Sequence, residues 1–203
     1  MIPALVRLPP VALDTEVLVR FADIVAALAA DRTCLLGAQR TIRGATLDAF
    51  TVAASVMAQR GDARVGVVVG IGAGRAPSVV AREATTTQLL GGCRVLLLEG
   101  EPDACRDAAT IIGALFVEGV HSVTTPTASI TDAVNDPLPD VVPPVLWCRG
   151  SELVALDDGD EVVVGRVVES VLADGLPAPV PGTLVVAGHE VVSVGELAAA
   201  LVA

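Results

Sequence analysis

The sequence predicts an α/β fold built on a parallel sheet, and three observations lead to this prediction. The chain of 203 residues is 53% hydrophobic and only 18% charged, so it holds enough apolar residues for the core of a single domain over residues 1–203. Short Val- and Leu-rich runs alternate with longer amphipathic stretches. Strands separated by helices connect through right-handed crossovers, which give a parallel sheet that is either open or closed.

Four predicted strand–helix units fill the first part of the chain. The strands are residues 4–8, 33–37, 64–70 and 94–98, and the helices that follow them are residues 15–30, 46–60, 78–90 and 103–118. The third strand reads RVGVVVG, and a continuous run of valines is typical of a strand that is buried on both faces. Gly61 follows the second helix as a C-cap, Pro77 begins the third helix, and Gly91 ends it.

The pattern weakens in the second part of the chain. Residues 124–144 contain five prolines, which predicts a long ordered loop. Strands are predicted at residues 145–148, 161–164 and 184–186, and a closing helix at residues 194–202. A complete barrel of eight alternating strands and helices takes about 250 residues. A closed sheet in this chain is therefore expected to be an abbreviated barrel, shortened after about residue 120.

Composition and charge exclude several classes of function. The formal net charge of -11 predicts that neither nucleic acid nor an anionic membrane surface is a partner. All 13 basic residues are Arg, so Schiff-base and P-loop lysine chemistry are excluded. The four cysteines are scattered without a C-x-x-C pair and only two histidines accompany them, so we expect no metal site. Reduced thiols and a start unlike a signal peptide predict a cytoplasmic protein.

A glycine-rich turn after the third strand supports one interpretation of the function. Gly70, Gly72 and Gly74 follow the Val-rich strand, and Glu99 ends the next strand, as in the fingerprint of dinucleotide-binding proteins. The third glycine comes four residues after the first, where the fingerprint requires five, and Arg75 occupies that place. This interpretation predicts an NAD(P)-binding, doubly wound protein with an open sheet and the third strand at its centre.

A second interpretation covers more of the chain. Residues 75–95, RAPSVVAREATTTQLLGGCRV, resemble a segment of the luciferase-like monooxygenase superfamily with the pattern R-x-P-x-x-x-A-R-E-A-x-T-L-D-x-L-S-G-G-R. Residues 53–68 and 142–165 resemble the helix and strand that precede this segment in the family and a later strand of the same proteins. The resemblance extends in the right order over most of residues 12–165.

This resemblance implies an abbreviated (β/α)8 barrel of the TIM type, usually dimeric, that binds FMN or the deazaflavin coenzyme F-420 at the carboxyl ends of its strands. The coenzyme ring would rest near Gly70, at the end of the third strand. Its phosphate would bind at a strand–helix turn that begins with Gly150, where a helix N-terminus offers free N–H groups. The coenzyme-binding residues that we predict are Val69, Gly70, Ile71, Gly72, Arg75, Gly150 and Ser151.

Three side chains are candidates for catalysis. Relatives place a polar or aromatic side chain after the second strand, where this chain has Gln39. Glu99 stands where both interpretations require an acid, although its setting also fits a solvated turn. His121 lies at a helix–strand boundary as a possible general base, the alternative being a histidine that only binds main chain. His189 follows a predicted strand end, where a simple turn is the alternative interpretation.

Three functional hypotheses follow. The first is a luciferase-like oxidoreductase, of the monooxygenase type, that binds a flavin or deazaflavin coenzyme. The second is a catalytically inactive member of the same family, acting as a homodimeric scaffold subunit or paired with a full-length relative. This chain keeps the packing motifs of the family but lacks polar site residues that its relatives have, and this combination favours the second hypothesis. The third is the NAD(P)-binding protein with an open sheet.

Overall fold

A computed structural model of the protein describes residues 2–72 and 75–200, which form a mixed α/β fold around a closed barrel of eight strands. The strands are β1 Leu5–Arg7, β2 Ala12–Leu13, β3 Thr33–Leu36, β4 Gln39–Thr41, β5 Thr46–Leu47, β6 Val65–Gly70, β7 Cys93–Glu99, β8 His121–Thr124, β9 Ser129–Ala133, β10 Val145–Arg149, β11 Glu152–Asp157, β12 Asp160–Glu169 and β13 Thr183–Val186. The helices of these residues are α1 Thr15–Leu28, α2 Ala49–Gln59, α3 Pro77–Leu90, α4 Pro102–Leu115 and α5 Val194–Ala199. Gly74 of the fingerprint and the end of the predicted closing helix lie outside the described residues.

The barrel closes through β1, which pairs with β13 on one side and with β3 on the other. Its strand order is β1-β13-β12-β11-β10-β7-β6-β3, and every neighbouring pair is parallel except the two that β11 makes. The prediction of an α/β fold with a mainly parallel sheet is confirmed. The open sheet that the dinucleotide interpretation predicts is wrong, because both sides of every barrel strand are paired.

The predicted alternation of strands and helices is correct in the first part of the chain and wrong in the second. Helices α1 to α4 follow β1, β3, β6 and β7 in turn, but β10, β11 and β12 form an antiparallel meander. The helix expected after Ser151 is therefore wrong, because β11 occupies that position. The cause is local: Gly150, Asp158 and Gly159 have φ values of +60°, +49° and +88°, which are typical of two-residue hairpin turns.

The predicted long loop also contains regular structure. Strand β9 lies within this predicted loop and forms an antiparallel hairpin with β8, which ends where the loop begins. Elsewhere in the chain, β2, β4 and β5 form a small separate sheet. Asp107 of α4 is buried and accepts hydrogen bonds from the main-chain N–H and the hydroxyl of Thr127, at 2.9 and 2.8 Å. These bonds attach the hairpin to α4.

Among the described residues, no helix combines the length and apolar character needed to cross a lipid bilayer.

Two hydrophobic clusters form the core on the two sides of the barrel wall. The interior cluster consists of Leu5, Leu35, Val68, Val95, Leu97, Leu146, Leu153, Leu184 and Val186. Outside the wall, Val67 and Val69 of β6 pack with the apolar residues of the helices. Because successive side chains of a strand point to opposite faces, the valines of β6 are buried on both sides. This confirms the prediction for the RVGVVVG segment.

Gly66 allows the interior of the barrel to pack closely. A Cβ atom added at this position would lie 2.6 Å from Leu35 Cδ2 and 2.7 Å from the carbonyl oxygen of Val95. Both distances are shorter than van der Waals contact, and one of the two atoms belongs to the backbone of β7. A residue larger than glycine therefore has no room here.

We expect Gly66→Ala to lower the free energy of unfolding by about 1–3 kcal/mol, because overpacking forces the barrel wall apart. Gly113→Ala is the matched control: in α4 an added Cβ meets no atom within 4 Å. Since alanine favours helix over glycine, this variant should gain about 0.5–1 kcal/mol. Urea unfolding measures both changes, and equal stability of the two variants would contradict this account of the barrel interior.

Candidate functional site at the carboxyl end of the barrel

Charged residues meet at the face of the barrel where the parallel strands end, which we call the mouth. Arg7 ends β1, Glu99 ends β7 and Glu169 ends β12. Each of them comes two residues after an inward-facing apolar residue, so each points to the interior side of the wall. Cys148 of β10 packs against the interior cluster, and His189 follows β13. We call Arg7, Glu99, Cys148, Glu169 and His189 the mouth cluster.

An ion pair between Arg7 and Glu99 crosses the mouth. Arg7 Nε lies 2.7 Å from Glu99 Oε1, and Arg7 Nη2 donates to Oε2 at 3.1 Å. Two barrel strands, β3 and β6, separate β1 from β7 in the barrel, so the pair spans the opening. The Arg7 side chain is only 14% exposed, whereas that of Glu99 is 41% exposed. One hydrogen bond, from Nη2, and one close charge contact, at Nε, thus join the guanidinium to Glu99.

The ion pair continues to His189 on the other side of Arg7. Arg7 Nη1 lies 2.9 Å from Nδ1 of His189. The other ring nitrogen of His189, Nε2, lies 3.8 Å from Glu169 Oε2. The four side chains thus form a continuous polar row, Glu99–Arg7–His189–Glu169, drawn from four different strands or strand ends.

Cys148 lies within the electrostatic field of this row. Burial raises the pKa of its thiol, the carboxylates of Glu99 and Glu169 raise it further, and the guanidinium of Arg7 lowers it. The net pKa is above its ordinary value. Because the thiolate is the reactive form of cysteine, Cys148 is a neutral and unreactive member of the cluster at neutral pH.

Two glycines leave open space beside the ion pair. Gly37 follows β3 and Gly70 ends β6, the two strands between Arg7 and Glu99. A Cβ added at Gly70 would meet no atom within 4 Å, and one at Gly37 would meet only Val68 Cβ, at 3.8 Å. A cavity of about 340 Å³ opens at Gly70, lined by Ala38, Thr46, Asp48, Ala49, Val68, Val69, Gly70 and Arg75. Its volume lies within the range of ligand pockets, about 300–1,000 Å³.

The cavity adjoins the mouth cluster through the pairing of β6 with β7. Gly70 is the register partner of Glu99, and the N–H of Ile71 donates to the Glu99 carbonyl oxygen at 2.7 Å. Gly100 makes this approach possible, since a Cβ there would lie 2.9 Å from the carbonyl oxygen of Ile71 and its φ is +152°. The backbone at the end of β6 and Glu99 at the end of β7 therefore form one continuous surface.

Arg75 lies in the wall of the cavity and is held by its own partners. Its guanidinium donates to Asp48, whose other carboxylate oxygen caps α2 by accepting from the N–H groups of Phe50 and Thr51. Glu83 Oε2 lies 3.5 Å from Arg75 Nη1, and the guanidinium lies 5.8 Å from the centre of the Phe50 ring. The Asp48 carboxylate raises the pKa of Arg75 above its ordinary value.

The structure brings together part of the site that the sequence predicts. Glu99, Val69, Gly70, Ile71 and Arg75 all lie at or beside the mouth. Gly72 follows this segment with a φ of +96° and an open position for a Cβ. Gly150 and Ser151 also lie at the carboxyl end of β10, but they form a hairpin turn and not a helix start.

Two candidate catalytic residues have other contacts. Gln39 is fully buried: its Oε1 accepts from the Val11 N–H, and its Nε2 donates to the Gly37 carbonyl oxygen at 3.0 Å. His121 belongs to β8, outside the barrel strands, and its Nε2 lies 2.9 Å from the Val117 carbonyl oxygen. The hydrogen bonds of these two side chains involve main chain, and neither joins the mouth cluster.

Sequence analysis missed Arg7, Cys148 and Glu169 as site residues. The sequence feature that could predict them is a single charged residue at the end of an apolar strand, because parallel strands of a barrel end at the same face. For Arg7 this signal is clear, because it follows the apolar residues of β1 directly. Cys148 had no such signal, since one buried cysteine in a strand is ordinary.

A search against models of known protein families finds no match to this chain, and a search of curated proteins finds none either. Within the residues that the structure describes, no group of three or more His, Cys, Asp or Glu side chains is arranged to hold a metal ion. The function proposed below is therefore argued from the mouth cluster and the adjoining cavity.

The electrostatic coupling within the mouth can be measured through Cys148. We expect Glu99→Gln to raise the rate of Cys148 alkylation by iodoacetamide at pH 8 by about twofold or more, because removing the carboxylate lowers the thiol pKa and increases the thiolate fraction. Glu152→Gln removes a charge from β11 that does not affect this thiol and serves as the control. Cys148→Ser identifies the signal in a mass-spectrometric assay, and equal rates for both glutamine variants would contradict the coupling.

Proposed function

We propose that this protein is a luciferase-like oxidoreductase that binds the ring of a flavin or deazaflavin coenzyme at the mouth, over the ends of β3 and β6. In this proposal the barrel is an abbreviated TIM barrel in which the β10–β12 meander replaces strand–helix units. One observation carries the proposal: an open cavity lies at Gly70, which is the register partner of Glu99, and Glu99 pairs with Arg7 at the mouth.

The residues of the cavity suit a planar ring. Ala38 is an exposed apolar residue of the lining, and Gly70 leaves the backbone of β6 uncovered. A flavin or deazaflavin ring accepts hydride and gains negative charge along one edge on reduction, so a nearby fixed cation favours the reduced form. Arg7 is such a cation, since Glu99 orients it and the wall of the barrel buries most of its side chain. When bound, the coenzyme would supply hydride-transfer chemistry.

The phosphate of the coenzyme does not fit where the resemblance implies. Gly150 and Ser151 connect two antiparallel strands, so this turn lacks the converging N–H groups and the dipole of a helix N-terminus. Arg75 is the remaining candidate for this role, and a phosphate there would compete with the Asp48 carboxylate. The proposal is therefore confined to the ring, with Arg75 as the basic residue that lines the cavity.

A separate observation favours the second candidate function, an inactive subunit that forms a homodimer. The meander leaves the outer side of β12 without a covering helix, and Val163 on that side is 53% exposed. A groove of about 550 Å³ lies nearby, lined by Val117, Val142 and Leu156 among others. Val117 and Val142 are also largely exposed, so a second copy of the chain would cover an apolar surface here.

Coenzyme titration tests the first function. We expect FMN or coenzyme F-420 to bind with a change in absorbance, and Gly70→Leu to weaken this binding by about tenfold or more, because a side chain there would fill the ring site. Gly61→Leu is the matched control, since Gly61 also has open surroundings and lies just after α2. Urea unfolding of both variants checks that the fold is retained.

The outcomes separate the candidates. Binding that both leucine variants retain would place the coenzyme elsewhere and contradict the proposed site. Absence of binding, combined with a dimer in sedimentation velocity that Val163→Glu dissociates, would support the inactive subunit. Binding of NADPH with neither flavin nor deazaflavin would contradict the luciferase-like proposal.

A further inference from the structure

We infer that the groove between α4 and the β11–β12 turn receives the β4–β5 hairpin of a second copy, so that copies of the chain associate head to tail. The hairpin tip, residues 40–45, carries Ile42 between Arg40 and Arg43. The inference deepens the second candidate function by naming the segment that covers the groove, and it rests on that candidate only for self-association. It requires neither coenzyme nor catalysis.

The groove has an open apolar surface. Its volume is about 550 Å³, and it is lined by α4, by the segment that precedes β10 and by the β11–β12 turn. Val117 and Val142 in its walls are 60% and 53% exposed, and Leu156 is half-buried. A Cβ added at Gly113 of α4 would meet no atom within 4 Å, so the helix leaves room beside these side chains. An apolar side chain of a partner would therefore be removed from water here.

Five exposed carboxylates lie in the lining of the groove or within two residues of it along the chain. They belong to Glu118, Asp140, Asp157, Asp158 and Asp160. Within the part of the chain that the structure describes, none of them forms an ion pair. Unpaired charges of one sign attract a partner of the opposite sign, so this groove favours an apolar side chain that has cations beside it.

The hairpin tip has this composition. Ile42 is 64% exposed, and the side chains of Arg40 and Arg43 on either side of it are exposed as well. Among the exposed large apolar residues that the structure describes, Ile42 alone has an arginine within two positions on each side. Neither arginine forms an ion pair with another described residue. The tip and the groove are thus complementary in both charge and apolar character.

Hydrogen bonds fix the shape of the tip before it binds. The N–H of Thr41 donates to the Ala45 carbonyl oxygen at 2.7 Å, and the Thr41 hydroxyl accepts from the Ala45 N–H at 3.0 Å. Gly44 has a φ of +84°, and its N–H donates to the Thr41 carbonyl oxygen at 2.8 Å. The N–H of Ile42 donates to the Leu13 carbonyl oxygen at 3.2 Å, which attaches the tip to β2. A tip that is already ordered loses little conformational entropy on binding.

The tip and the groove lie at opposite ends of the barrel. The hairpin follows β3 and so lies at the carboxyl end of the parallel strands, whereas Val142 and Pro144 of the groove precede β10 and lie at the amino end. A molecule therefore cannot place its own hairpin in its own groove. A contact between two different surfaces is heterologous, and it continues from copy to copy unless a ring closes.

Charge disfavours the symmetric alternative, in which two grooves face each other. Such a contact would bring two sets of five carboxylates together, and like charges at short distance repel. The formal net charge of -11 makes two copies repel each other in most orientations as well. The head-to-tail contact instead places Arg40 and Arg43 of one copy against the carboxylates of the next.

Sedimentation velocity of the whole protein tests this contact. We expect the wild type to self-associate as its concentration rises, and Ile42→Asp and Val142→Arg each to weaken the association by about tenfold or more, because each adds a charge like that of the facing surface. Val19→Asp is the matched control, since Val19 of α1 is 48% exposed and belongs to neither surface. Urea unfolding checks that each variant retains its fold.

A mixture of the two interface variants identifies the contact as heterologous. Ile42→Asp retains the groove and Val142→Arg retains the hairpin tip, so one copy of each can make a single intact contact. We expect the equimolar mixture to form a complex of one copy of each that does not grow as the concentration rises. Native mass spectrometry with one variant labelled with 15N identifies its composition.

The outcomes separate this inference from the proposed functions. A wild type that stays monomeric, an association that Ile42→Asp leaves unchanged, or a mixture that stays monomeric would overturn the head-to-tail contact. If Val163→Glu dissociates a dimer that Ile42→Asp leaves intact, the second candidate function holds and the inference alone fails. Coenzyme binding affects none of these results, so failure of the coenzyme site is detected separately by its own titration.

Discussion

Closure of the barrel is the constraint on which the rest of the structure depends. Because β1 pairs with both β13 and β3, the parallel strands end in a ring, and residues far apart in the chain meet at one face. Arg7 and Glu99 are 92 residues apart in sequence, and Arg7 and His189 are 182 apart. In an open sheet β1 and β7 would lie on one surface with two strands between them, and there would be no opening for the ion pair to cross.

The parts of the fold that depend on local sequence could be predicted, and the parts that depend on closure could not. The valines of β6 and the two ends of α3, at Pro77 and Gly91, act within a few residues, so periodicity and turn chemistry identify them. The C-cap predicted at Gly61 is wrong by one residue, because α2 ends with Arg60 as its C-cap. The resemblance implies a helix after Ser151, and this expectation is wrong, because the Asp158-Gly159 turn joins two antiparallel strands of the β10–β12 meander. Glu99 was found from its strand end, whereas Arg7 acquires its role only from its distant partners.

The mouth shows how one cation can organise a site with few polar groups. Arg7 pairs with Glu99, contacts His189 and opposes the effect of the carboxylates on the Cys148 thiol. The glycines at the ends of β3 and β6 complete the site by leaving space beside it. Arginine suits this position because its fixed fork of donors serves two different acceptors at once.

The pairing of β1 with β13 has a consequence for how the protein folds during synthesis. One partner of β1 emerges from the ribosome soon after it, as β3, but the other is made only when residues 183–186 have been translated. Until then the nascent chain can assemble only an incomplete wall, with the hydrogen-bonding edge of β1 exposed. An unpaired strand edge of this kind can pair with other chains, so the growing polypeptide is exposed to aggregation until the last strand has been made.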